Sequence, residues 1–183
     1  YTRENPDVDV VHFWLADASN NHCECAKCAE KRPADWYVEI LNEADKLMTA
    51  SGILTRIVFL VYCDLLWPPE HTKLAHSERF ILMFAPISRS YSRAFSAGAE
   101  DSNKKPSLPP YVRNQIELPK SPADNLAFLK AWQENFSGSG FVFDYHYMWD
   151  HFKDAGGMQI TRVLYEDCRN LRKLGLDGMI SCQ

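Results

Sequence analysis

The stretch Ile57-Val58-Phe59-Leu60-Val61-Tyr62-Cys63 decides the fold class. It is continuously apolar and rich in branched residues, without the alternation of a strand that shows one face to water. Such a run suits a parallel strand covered on both sides. Asp64 follows it, and Trp67-Pro68-Pro69 then bars both strand and helix from continuing.

The same texture recurs in both directions. Val8 to Ala16 is short, β-branched and aromatic, and it runs through Asp17 into a Ser-Asn-Asn stretch, so it reads as a buried strand leaving into a loop. Phe80 to Ala85 is a third strand ended by Pro86, Phe141 to Tyr147 a fourth, and Met179 to Cys182 a fifth. Helical patterns separate them. Pro33 and Asp35 open the first, with Asp35 as the expected N-cap, and Trp36, Ile40, Leu41, Ala44, Leu47 and Met48 form its stripe up to Gly52. Pro122 and Asp124 open another, with Leu126, Leu129, Trp132 and Phe136 on its face. The last carries Ile160, Val163, Leu164, Leu171 and Leu174 and stops at Gly175. Ile87 to Ser121 is the longest irregular stretch, and loops of that length are usually functional or mobile.

Strands alternating with helices predict an α/β chain with a mostly parallel sheet and right-handed crossovers. Five strands cannot close an eight-stranded barrel. The expectation is therefore one partial domain over 1–183: the C-terminal portion of a (β/α)8, TIM-like barrel, cut from a longer chain. An open doubly wound sheet is the competing architecture. No glycine-rich phosphate turn follows any strand, which counts against a nucleotide-binding version of it.

Composition narrows the function classes. The 183 residues are 46% hydrophobic and 24% charged, enough for a real core, and the net charge of −4 comes from interspersed acids and bases. No basic patch stands out, so nucleic acid is not an expected partner. No apolar run approaches the ~20 residues that span a bilayer. Aromatics, at 13%, serve cores and also line sugar-binding clefts.

In parallel α/β folds the loops after the strands build the site. The strand ends here bring Asp17, Tyr62, Asp64, Trp67, Arg89, Asp144, Tyr145, His146, Trp149 and Asp150. Glycoside hydrolysis needs two carboxyl groups with separated pKa values, and an apolar setting raises one of them. Asp17 and Asp144 both end aromatic, apolar runs, and His146 points to the same side of the strand as Asp144. These three are the candidate catalytic residues. Tyr62, Trp67, Tyr145 and Trp149 are candidate sugar-stacking or sugar-binding groups, and Arg89 a candidate partner for a substrate carboxylate. Each also has an ordinary reading, as a helix cap, a core aromatic or a structural arginine.

The run His22-Cys23-Glu24-Cys25-Ala26-Lys27-Cys28 is the most unusual segment. Cys25 and Cys28 have zinc-knuckle spacing, Cys23 or His22 could add a ligand, and Cys63 could complete a four-sulfur site. Structural zinc, a local disulfide and reduced thiols all stay open, and no cofactor is required for the expected chemistry.

The string Phe13-Trp14-Leu15-Ala16-Asp17, the CxCxxC of Cys23 to Cys28, Asn42 on its helix, and Tyr62 before Pro68-Pro69 together resemble domain of unknown function 4838. That family is glycoside-hydrolase-like, frequent in Bacteroidetes, and distantly similar to α-glucuronidases and β-hexosaminidases. The resemblance implies a TIM-barrel core, a carbohydrate substrate and an exported parent protein. Its most specific part is the CxCxxC after a strand. The chain departs from the related enzymes at Ala18, where an Asp-Glu pair would place a second acid. A non-catalytic carbohydrate-binding barrel is the second reading, and a metal-dependent hydrolase built on the cysteine cluster the third.

Overall fold

The structure is a computed structural model that describes residues 1–15, 17–95, 108–148 and 150–182. Five strands form one sheet in sequential order: β1 (Val10–Phe13), β2 (Arg56–Val61), β3 (Phe80–Phe84), β4 (Gly140–Asp144) and β5 (Gly178–Ser181). Every neighbouring pair is parallel, with Phe13 opposite Phe59, Leu60 opposite Met83, Met83 opposite Phe141, and Phe143 opposite Ile180. The protein is thus α/β with an all-parallel sheet.

Among the described residues four α-helices lie between the strands: α1 (Ala26–Ala29) and α2 (Pro33–Ala50) after β1, α3 (Pro122–Gln133) after β3 and α4 (Met158–Asn170) after β4, whereas β2 and β3 are joined through the 3-10 turns Cys63–Leu66 and Ser77–Arg79. Period-two alternation splits the side chains of β2 and β3 between two cores. Ile57, Phe59, Val61, Phe80, Leu82 and Phe84 pack with Tyr37, Val38 and Leu41 of α2 and Leu126, Leu129 and Trp132 of α3. Val58, Leu60, Met83 and Ala85 face the other way, with Tyr91, Tyr145 and Ile160. The edge strands are less covered on that second face: His12, Trp14 and Ile180 are exposed there.

Local chemistry explains where the elements stop. β2 ends because Cys63 takes a left-handed φ of 50° and starts a 3-10 turn, Cys63–Leu66. β4 ends at Asp144 rather than Tyr147, because the Tyr145 amide turns aside to Asp144 Oδ1 and the Tyr91 hydroxyl, both at 3.0 Å. β1 is shorter than its apolar run. Beyond it the Phe13 carbonyl accepts from the buried Tyr37 hydroxyl, which itself accepts from the Leu60 amide at 3.0 Å. Tyr37 thereby ties β1 to β2 where the ladder gives out.

The expected cap of the first long helix differs. Helix α2 starts at Pro33 with Arg32 at the N-cap, and Asp35 lies inside its first turn. The Asp35 carboxylate is occupied elsewhere, accepting from the His71 and Thr72 amides at 2.7 and 3.0 Å. Burial disfavours its charged form, but those amide bonds outweigh burial and hold its carboxyl below the ordinary range. Helix α3 is capped by Ser121, whose hydroxyl accepts from the Asp124 amide at 3.0 Å.

Candidate functional site

At the C-terminal ends of β1 to β4 a cavity of 220 Å³ is lined by Trp14, Asp17, Leu60, Tyr62, Met83, Phe143 and Tyr145, among others. Asp17 is exposed, and its Oδ1 accepts from the Tyr62 hydroxyl at 2.9 Å. Half-burial, together with the neighbouring Cys63 and Asp17, pushes the Tyr62 hydroxyl far above its ordinary value. Tyr62 therefore stays protonated and donates to Asp17. Trp14, Phe143 and Tyr145 give the cavity flat apolar walls, and Met148 adds a flexible thioether at its mouth. The volume falls below the ~300–1,000 Å³ of pockets that engulf drug-sized molecules, so it suits a single ring or a chain end.

A larger cleft of 710 Å³ opens at the other end of the sheet, between Thr2–Val10 and Ser51–Arg56. Its cations are already engaged. Arg3 donates to Ser51 Oγ at 2.7 Å, and Arg56 donates to the Glu78 and Phe80 carbonyls. It lies away from the strand ends where parallel α/β folds place chemistry.

Asp144 and His146 do not share the open cavity. Both are 0% exposed, and Arg89 is 1% exposed beside them. Arg89 Nη1 donates to Asp144 Oδ2 at 3.3 Å, and Nη2 donates to Asp167 Oδ2 at 2.7 Å. His146 Nε2 lies 3.0 Å from the same Asp167 oxygen. In the tautomer that carries its proton on Nε2, His146 donates to Asp167 there. The Phe95 amide donates to Asp167 Oδ1 at 2.7 Å, and the Phe95 ring lies 3.7 Å from the guanidinium carbon. The result is a sealed ionic cluster joining the loop after β3, the end of β4, and α4.

This cluster corrects three expectations. Asp144 is not placed as a cleft carboxyl, His146 orients Asp167 rather than a reacting group, and Arg89 is spent on two protein carboxylates. The physical reason is charge burial: each ion was taken out of water only with an opposite charge in contact. Asp144, His146 and Asp167 offer ligand atoms within 4.8 Å of one another, but Arg89 already supplies the positive charge there. Trp67 is also corrected. It is 2% exposed, donates from Nε1 to the Pro109 carbonyl at 2.8 Å, and packs edge-on against Phe128, so it is a core residue. Trp149 lies outside the described residues. Asp150 caps a backbone turn, accepting from the Tyr91 amide at 2.8 Å.

Asp167 was missed in the sequence, although a signal existed. It stands on the apolar stripe of α4, seven residues after Ile160 and four after Val163, where a carboxylate needs a buried partner. Asp45 does the same on α2, facing Arg79 and His76, each at 2.6 Å.

The Cys23, Cys25 and Cys28 sulfurs all lie within 4.8 Å of one another. Neither His22 nor Cys63 joins them among the described residues. His22 Nε2 faces Asp64 Oδ1 at 3.5 Å, and Cys63 is buried with its thiol pushed up to about 11, first by burial. Within the cluster the Cys28 amide and the neighbouring thiols lower Cys25, while Cys25 and Cys23 push Cys28 up to about 11.

No family model matches the chain, and no curated protein or solved structure matches it. The functional reading therefore rests on the site itself.

Proposed function

We propose that the chain is part of a (β/α)8-type barrel whose rim cavity binds a sugar ring, and that Asp17 acts at a glycosidic bond. The observation that carries this reading is Asp17: an exposed carboxylate at a strand end, steered by the Tyr62 hydroxyl into a cavity walled by Trp14, Phe143 and Tyr145. The flat rings suit the apolar faces of a pyranose, and the Asp17–Tyr62 pair supplies an acceptor and a donor for hydroxyls. The sequential strand order supports a barrel, as does the packing of both α2 and α3 on one face of the sheet.

Most glycosidases use two carboxyl groups flanking the bond. Asp17 is the one carboxyl among the described residues that line the cavity. Hydrolysis thus requires a second acid from outside that set. The single open carboxyl favours, as the second reading, a site that binds sugar without cleaving it.

One experiment separates the readings. The chain is titrated with monosaccharides and oligosaccharides by NMR, and assayed on the same oligosaccharides for reducing-end release. The expected result is saturable binding and slow hydrolysis, with Asp17→Asn lowering turnover by ~10²–10⁴-fold, the usual worth of an acid–base group. Binding without cleavage selects the non-catalytic reading. Absence of sugar binding removes both.

A further inference from the structure

The cysteine loop carries a second site, independent of the carbohydrate reading. It leaves β1 and crosses to α2, and its backbone is fixed from outside by a distant segment. Arg113 donates to the Cys23, Cys28 and Lys31 carbonyls at 3.1, 2.7 and 2.6 Å. Asn114 accepts from the His22 amide and donates to the His22 carbonyl, both at 2.8 Å. Asn20 and Ile116 exchange a further pair of bonds at 3.1 and 2.8 Å. A loop pinned at both strands of this zipper holds its three thiols in one place without help from their own chemistry.

We propose that Cys23, Cys25 and Cys28 bind one thiophilic d¹⁰ cation, zinc, through three thiolates, with the fourth coordination position open to solvent. Three sulfurs each ~2.3 Å from a tetrahedral ion stand ~3.8 Å apart, a spacing compatible with three sulfurs that all lie within 4.8 Å of one another. A disulfide would use two of the sulfurs and strand the third, whereas an ion uses all three. The guanidinium of Arg113 is held by carbonyls rather than by the sulfurs. The exposure of Cys23 and Cys25 leaves room for water or an external ligand opposite the sulfurs. On binding, the thiols release protons and the ion cross-links residues 23–28, the loop that also carries Asp17.

The 183-residue chain, purified reduced and stripped with chelator, is titrated with zinc chloride and separately with cobalt chloride. The expected result is one zinc per chain by elemental analysis, a thiolate-to-cobalt charge-transfer band, and slowed amide exchange over residues 17–31. Cys23→Ser, whose side chain is exposed and tolerant of change, loses stoichiometric binding, as does the triple serine variant. Cys168→Ser, elsewhere on α4, keeps it. Zinc retention by wild type no greater than by the triple variant overturns the proposal. So does recovery of the chain, after non-reducing purification in the presence of zinc, with a disulfide between any two of the three.

Discussion

Asp17 and Asp144 both follow a strand in an aromatic, apolar run, and the fold treats them in opposite ways. Asp17 is exposed, and its one hydrogen bond named above comes from a tyrosine at the cavity wall. Asp144 is sealed at 0% exposure against Arg89 and a second aspartate on a helix. The difference is what packs over each strand end. After β4 the chain folds back so that α4 brings Asp167, and the loop after β3 brings Arg89, over the carboxylate. After β1 the chain runs outward into the cysteine loop. An acid at a strand end is available for chemistry only where the following segment leaves it uncovered.

The sharpest way to break this comparison is to truncate both acids. Asp144→Ala or Asp167→Ala leaves Arg89 buried with half its counter-charge, and should destabilise the fold by ~3–5 kcal/mol in urea unfolding. Asp17→Ala, at an exposed site, should stay within ~0.5 kcal/mol of wild type. Equal losses would show that the two acids are not segregated into structure and site. A volume-matched apolar replacement of Arg89, Asp144 and Asp167 together should recover most of the loss, because it removes the ions rather than orphaning one.

Acid titration sharpens the contrast at the next level. Asp35 and Asp45 resemble Asp144 in being buried and partnered. Burial alone would raise them, but amide bonds at Asp35 and the His76 and Arg79 contacts at Asp45 outweigh it, so both lie below the ordinary value of 3.8. A folded pKa below the unfolded one contributes stability above pH 3.8, and that contribution is lost as pH falls through the lowered folded values. Urea midpoints should therefore fall on acidification below pH ~4, and Asp35→Asn should show a smaller fall than wild type.

The smallest effect belongs to the open site. Tyr62→Phe removes the hydroxyl that steers Asp17 and should weaken sugar binding by ~0.5–1.5 kcal/mol, a rise in Kd of about twofold to thirteenfold. Folding stability should be almost unchanged, since the hydroxyl is at the rim. An unchanged Kd would detach Tyr62 from the site.

Much of this is legible in the sequence. The strands and three of the helices follow from β-branched runs, 3.6-residue stripes and proline or glycine punctuation, but α3 stops at Gln133, ahead of Phe136, and α4 stops at Asn170, where a 3-10 turn over Leu171–Leu174 takes over. All five strands appear, and none is misplaced by more than a few residues. The four-residue α1 was not anticipated, because Ala26–Ala29 is too short to show a period. Asp17, Tyr62 and Tyr145 were named from their place after strands, and the structure gathers them around one cavity. Trp67 failed because the same proline pair that ends its segment also folds it under Pro109 and against Phe128.

What the sequence alone determined is the alternation of elements, and with it the parallel α/β architecture, since local patterning dictates strands, helices and their order. Which strand-end acid faces solvent and which is buried was a tertiary decision. It depended on Arg89, Asp144, His146 and Asp167, up to 78 residues apart, meeting in a space that excludes water. Sequence spacing carries no record of that meeting. Electrostatics does, because a charge cannot stay buried without a partner, and the fold that supplies the partner also decides which acid is left for chemistry.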